Sequence, residues 1–357
     1  MNHRYPSRRA GACAAVLVLL SAASWPAGAQ DAGLAYVSNQ QGGVTVIDLA
    51  SMGVRATFDV GAHGPRGIGL SDDGSRLVTA NMGDGNVSII DTASGKLLHQ
   101  VAIGRNPEFV RVGGQTAFVT YEPTGGAPPA AGAAPPAASV AAHGDDDDVP
   151  GHIAIIDIAS GRQVLDIVGK PQTEGVEFSA DGSQLIVTNE SDNSLSVLDS
   201  ATGHLLRTVS VAEYGSRPRG IKRSPDGRQF VVTLELSGKL LVLDAQLQVV
   251  RQIATAKTPY GVAYDRAGAR VYVAANKDRL LQVFDTATWD KIKEIPTGER
   301  CWHFSFTPDD RQILLACGKS NEVLVIDAQR LEVTRHIGGL SMPWGIVTYP
   351  RSKGSID

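Results

Sequence analysis

The chain has 357 residues, a formal net charge of −4, 43% hydrophobic residues and 20% charged residues. That balance gives no electrostatic basis for binding nucleic acid or an anionic membrane, and it is ordinary for a folded chain rather than a disordered one. Leu, Ile and Val come in short runs without helical periodicity, which points to strands.

Residues 1–29 read as a cleavable signal peptide. Arg4, Arg8 and Arg9 give a basic start, residues 10–23 an apolar run too short to span a bilayer, and Ala27, Gly28 and Ala29 a small-residue cleavage site. Ala-Gly follows Arg8-Arg9 where a twin-arginine signal carries an apolar pair, so the general secretory route is favoured. The expectation is a periplasmic protein whose mature chain begins near Gln30, with no membrane insertion once the leader is gone. Cys13 leaves with the leader, and Cys301 and Cys317 remain in a compartment where disulfides form.

Beyond the leader one pattern recurs: an apolar strand, an Asp-Gly turn, a second strand, a short polar loop, and a third strand closing on Asp. The closing residues are Asp48, Asp91, Asp157, Asp199, Asp244, Asp285 and Asp327. They lie 41–45 residues apart except between Asp91 and Asp157. A repeat of that length built of short strands predicts an all-β, seven-bladed β-propeller of four-stranded antiparallel blades over residues 30–350. Residues 351–357 are left as a C-terminal tail.

Leu34–Asn39, Val44–Asp48 and residues 56–60 match the second, third and fourth strands, with no first strand ahead of them. Residues 343–349 (PWGIVTY) supply a first strand with nothing after it, so the last blade is expected to be shared between the two ends of the chain. That closes the ring and removes its exposed sheet edges. The six unbroken blades are expected to begin at Pro65, Pro107, Thr173, Pro218, Pro259 and Arg300. Residues 123–150, rich in Ala, Pro and Gly with an acidic end, read as a disordered insertion between the second and third strands of the second blade. His143, the acids at 145–148 and His152 read mainly as part of a solvated acidic tether, with a divalent-cation site as the alternative.

A feature repeated seven times is architecture, and the closing Asp residues are expected to accept bonds from the amides of the following turn. Function lies where blades differ. First strands open P-x-G or its equivalent and line the channel of a propeller, which brings Arg66, Glu108, Glu174, Arg219, Tyr260, Trp302 and Trp344 to one mouth. Two readings stay open. The ring is either a plug of ion pairs and packed rings, or a binding site in which Arg66 and Arg219 grip a carboxylate while Tyr260, Trp302 and Trp344 stack on a flat group. The second irregularity is Cys301-Trp302-His303 with Cys317. A hairpin about Asp309 and Asp310 sets Cys317 nearly opposite Cys301, giving a disulfide, two free thiols, or a Cys301/His303/Cys317 metal site as alternatives.

The strand ends YVSN (residues 36–39) and IVTN (residues 186–189), with VSIIDTASG and LSVLDSATG, resemble the YVTN-repeat family of bacterial β-propellers. The segment from Trp302 to Asp327 and the later PWG at Pro343 to Gly345 resemble the exported propellers associated with PQQ-dependent catabolism. That resemblance implies a periplasmic protein accompanying quinoprotein alcohol dehydrogenases, c-type cytochromes and transporters. It implies no established reaction. Cys301, His303, Cys317 and the insertion depart from the family's pattern. No Cys-x-x-Cys-His, P-loop, G-x-S-x-G or dinucleotide fingerprint occurs, so the chain itself is expected to hold no cofactor. The leading expectation is a non-enzymatic binding or scaffold propeller partnered by a quinoprotein dehydrogenase or c-type cytochrome. A lactonase-like hydrolase and a metal-handling protein stand as alternatives.

Overall fold

The computed structural model describes Met1 and residues 33–123 and 149–356. The expected leader with Cys13, and His143 with the acids at 145–148, lie outside the described residues. Seven antiparallel sheets of four strands form a β-propeller, the strands of six of them hydrogen-bonded in chain order and the seventh joining the last strand to the first three. Among the described residues the one helical element is a single 3-10 turn, Gly318–Ser320, and no helix is long and apolar enough to cross a membrane.

Blades are numbered from the first unbroken one. Their inner strands are Pro65–Leu70, Val110–Gly113, Thr173–Phe178, Pro218–Arg223, Pro259–Tyr264, Cys301–Phe306 and Pro343–Tyr349. Blade 7 is the shared one: Leu34–Asn39 pairs antiparallel with Pro343–Tyr349, Leu34 opposite Tyr349 and Tyr36 opposite Val347. Its outer strand is Gly53–Phe58, earlier than the expected 56–60, and blade 6 opens at Cys301 instead of Arg300. The inner strand of blade 2 begins at Val110 instead of Pro107. There Phe109 stands where five other blades carry glycine, and its amide bonds the Thr120 hydroxyl at 3.1 Å. Across the interval of the insertion, Thr116–Tyr121 pairs directly with Pro150–Asp157.

The repeated polar residues do the local work expected of them. In Ser71-Asp72-Asp73-Gly74-Ser75 the Asp73 carboxylate accepts from the Ser71 hydroxyl (2.6 Å) and the Ser75 amide (3.0 Å), fixing the first hairpin turn. The closing Asp accepts backbone amides in all seven blades, from Ser51 (2.8 Å) at Asp48 to Arg330 (2.7 Å) at Asp327. Apolar side chains from facing sheets fill the space between blades. Ala35, Val37 and Ile47 of blade 7, for example, pack with Leu314, Ala316, Val323 and Val325 of blade 6.

Near the axis three pairs of neighbouring blades are joined by hydroxyls. The Thr233 hydroxyl accepts the Gly220 amide of its own inner strand (2.9 Å) and donates to the carbonyl of Tyr260 in the next blade (2.9 Å). Thr188 does the same between Gly175 (2.8 Å) and Arg219 (2.9 Å), and Ser38 between Gly345 (3.0 Å) and Arg66. The paired glycine is required by the same contact. A Cβ on Gly67, Gly175, Gly220 or Gly261 would collide with the carbonyl oxygen of the mouth residue in the next blade. The serine or threonine of the YVTN-like ending is thus a clasp between blades, and the glycine of P-x-G is the gap it closes over.

Thr233→Val keeps the shape and removes both bonds, leaving the Gly220 amide and Tyr260 carbonyl buried without partners. Each such group costs about 1–3 kcal/mol. Urea denaturation is expected to show a loss of about 2–6 kcal/mol for the two groups together, with Thr233→Ser close to the native chain.

Candidate functional site at the channel mouth

The inner-strand starts bring the expected residues together at the axis. Arg66 reaches Glu108 at 3.0 Å, and Arg219 reaches Glu174 at 3.0 Å. The Tyr260 hydroxyl donates to Glu108 at 3.2 Å, and the Arg219 guanidinium lies over the Tyr260 ring at 4.4 Å. Three further groups join them. Glu190, with a side chain only 1% exposed, pairs with both Arg217 and Arg219, and Glu235 lies 3.5 Å from Arg219. Three guanidiniums therefore face four carboxyls across blades 1 to 4.

Sequence reasoning missed Glu190, Glu235 and Arg217. Their signal was positional: Glu190 and Glu235 immediately follow the second strand, and Arg217 sits two residues before the varying mouth residue. A second charged tier lies three residues further along the inner strands of blades 2, 3 and 4. Arg111 pairs with Glu177 at 2.8 Å, and Lys222 lies 3.7 Å from the same carboxylate. Charged residues inside otherwise apolar inner strands were the available clue.

The aromatic members do not face solvent. Tyr260 and Trp344 meet edge to face at 6.3 Å, and His303 packs tilted against Trp344 at 4.3 Å. Trp302 is buried over Gly318, where any side chain would strike its ring, with Arg300 5.9 Å above it. Burying these rings removes large apolar surfaces from water and floors the ion-pair layer. What reaches solvent at the mouth is polar, chiefly Arg217 and Arg66 with side chains 37% and 23% exposed.

Burial sets the charge states. Desolvation, helped by the nearby Glu108 and Glu190 carboxylates, holds the Glu174 carboxyl well above the usual glutamate range despite Arg219. Burial also pushes Glu108 up, but Arg66 and Arg219 outweigh it and keep its carboxyl below that range. Glu174 therefore holds its proton to higher pH than Glu108 does, and the two carboxyls hydrogen-bond each other. His303, buried and near Lys222 and Arg219, is pushed down to about 3 and stays neutral.

Cys301 and Cys317, opposite each other in the blade 6 hairpin, form a disulfide. Among the described residues no group of three or more His, Cys, Asp or Glu is placed to hold a metal ion. His152 bonds Asp166 at 2.8 Å, and Asp166 also accepts from the Tyr121 hydroxyl.

Comparison with known proteins supports the β-propeller assignment. A family described as YNCE-like β-propeller matches residues 262–355. No curated protein matches the chain. Among solved structures, a candidate 6-phosphogluconolactonase of Bacteroides uniformis is similar at 19% identity and a TM-score of 0.71, covering 89% of this chain and all of that one. Hydrazine synthase of Kuenenia stuttgartiensis is similar at 19% and 0.70, covering 83% of this chain and 93% of that one. The periplasmic gluconolactonase of Pseudomonas aeruginosa is similar at 18% and 0.68, covering 88% and 98%. At these identities the likeness is one of fold.

Glu174→Gln tests the raised carboxyl. A carboxyl raised on folding contributes fully below the ordinary glutamate range, and its contribution is lost as pH rises through the folded value. The variant has no such loss. Its denaturation midpoint should match the native chain near about pH 4 and exceed it increasingly toward about pH 8. A gap that does not change with pH would show that Glu174 does not titrate there.

Proposed function

We propose that this chain is an exported, non-enzymatic β-propeller that binds a protein partner through its charged mouth, in company with a PQQ-dependent quinoprotein–cytochrome c oxidation system. The observation that carries the binding reading is the engagement of the mouth carboxyls. Glu108, Glu174 and Glu190 are each held by an arginine, and the Glu174 and Glu108 carboxyls hydrogen-bond each other. Carboxyls so engaged make a rigid polar surface and offer no free base, acid or ligand set. Arg66 and Arg217, its exposed members, suit the carboxylates of a partner surface. The choice of partner rests on the resemblance of the segment from Trp302 to Asp327 and of PWG at Pro343 to exported propellers of that setting. Periplasmic location rests on the reading of residues 1–29.

A lactonase-like reading is second, favoured by the fold shared with a periplasmic gluconolactonase and a candidate 6-phosphogluconolactonase. One pair of assays separates the two. Tagged mature protein, incubated with periplasm of alcohol-grown cells, is expected to enrich a quinoprotein dehydrogenase or c-type cytochrome over an unrelated propeller bait. Arg66→Ala and Arg217→Ala should each weaken that capture while the melting transition persists. Hydrolysis of gluconolactone or 6-phosphogluconolactone, lost in Glu174→Gln, would replace the first reading with the second.

A further inference from the structure

Residues 351–356 do not trail away from the ring. They turn inward beside the inner strand of blade 6 and add to its channel-facing edge. The Phe306 amide donates to the Lys353 carbonyl (2.8 Å), and the Ser355 amide to the Phe304 carbonyl (2.9 Å). Gly354 bridges Ser305 in antiparallel fashion. The Ser355 hydroxyl accepts the Phe304 amide (3.0 Å) and meets His303 Nδ1 at 3.0 Å, while Arg111 donates to the Ile356 carbonyl at 3.0 Å. Ile356 is 1% exposed and belongs to the cluster that holds Tyr260, Trp302 and Trp344.

The channel wall is shaped around this segment. A Cβ on Gly261 would press on Ser355, and one on Gly345 would strike the end of Ile356. Strand addition through backbone bonds accepts many sequences, whereas here the neighbouring groups select for side chains. His303 and the Phe304 amide take a hydroxyl, the aromatic floor takes an aliphatic group, and Arg111 takes a carbonyl. His303 Nε2 is buried without a hydrogen-bond partner, so the polar capacity of the site exceeds what the segment uses.

We infer that the channel-facing edge of Cys301–Phe306 is a peptide-binding site, filled in cis by residues 353–356, which takes an extended partner segment of small–Ser–aliphatic character in trans when the cis segment leaves. The site lies below the ion-pair layer and does not depend on what binds the mouth. Covalent attachment gives the cis segment an effective concentration of about millimolar, so it excludes free peptide until it is released. Its holding contacts near the entrance are the bond from the Ser352 hydroxyl to the Thr307 carbonyl (3.1 Å) and the ion pair of Arg351 with Asp72.

A protease site inserted between Pro350 and Arg351 lets the ring fold with its segment in place before cutting. Fluorescently labelled RSKGSID peptide, followed by anisotropy, should bind the cut ring saturably and the uncut chain at least about 100-fold more weakly. A peptide N-methylated at the residue corresponding to Ser355 should lose binding, because the bond to Phe304 is gone. A cut ring that keeps its melting transition yet ignores the peptide overturns the inference, as does equal binding by the uncut chain. Should the cut ring unfold, amide hydrogen exchange of the intact chain decides. Exchange at Ser355 and Phe306 well ahead of Val347 supports a segment that leaves by local opening. Exchange of all three together identifies a permanent structural lock and contradicts the inference.

Discussion

The fold turns on the hydroxyl that bridges neighbouring blades where the ring is narrowest. Backbone groups at the axis cannot complete a ladder on their inner side, and buried amides and carbonyls without partners are costly. Thr188, Thr233 and Ser38 answer this by accepting an amide within their own blade and donating to a carbonyl of the next. The carbonyl so fixed belongs each time to the residue whose side chain forms the mouth: Arg219, Tyr260 or Arg66. The repeated scaffold thereby positions the unrepeated chemistry, and glycine beside it lets the strands approach closely enough for the bond to form.

At the mouth, that positioning produces compensation. Arg219 sits between Glu174, Glu190 and the face of Tyr260, and Tyr260 in turn donates to Glu108. Desolvation penalises every one of these charges, so the arrangement persists only while the partners satisfy one another. Beneath it the rings of Tyr260, His303 and Trp344 exclude water, and beneath them Ile356 and the Arg111–Glu177–Lys222 tier fill the channel. With residues 353–356 in place the channel is packed along its length, and the surface then exposed for recognition is the polar rim around Arg66 and Arg217.

Sequence reasoning reached the seven blades and the shared closing blade because each rests on local, repeated signals. Asp-Gly turns, closing Asp residues and P-x-G strand starts need no knowledge of distant contacts. The orientation of the mouth aromatics was not legible in the same way. Tyr260, Trp302 and Trp344 read equally as stacking surfaces or as packing, and their burial depends on how tightly the axis closes. Glu190, Glu235 and Arg217 sit in inter-strand loops, whose contacts exist only after neighbouring blades are brought together. Left-handed backbone at Asn106, Gln172, Arg217, Thr258, Arg300 and Met342, just ahead of the inner-strand region, carries no glycine to announce it. The docking of Arg351–Ile356 also lacks a signal, since a small polar segment has no periodicity.

The central claim is that the mouth is a closed, mutually compensating layer. A double-mutant cycle on Arg219→Met and Glu190→Gln, read by urea denaturation at neutral pH, tests it most directly. Each single substitution takes one charged partner from a buried group and should cost up to about 3–5 kcal/mol, while the double variant should cost far less than the two together. Two nearly neutral substitutions whose effects simply add would show that these groups do not hold one another, and would contradict the account.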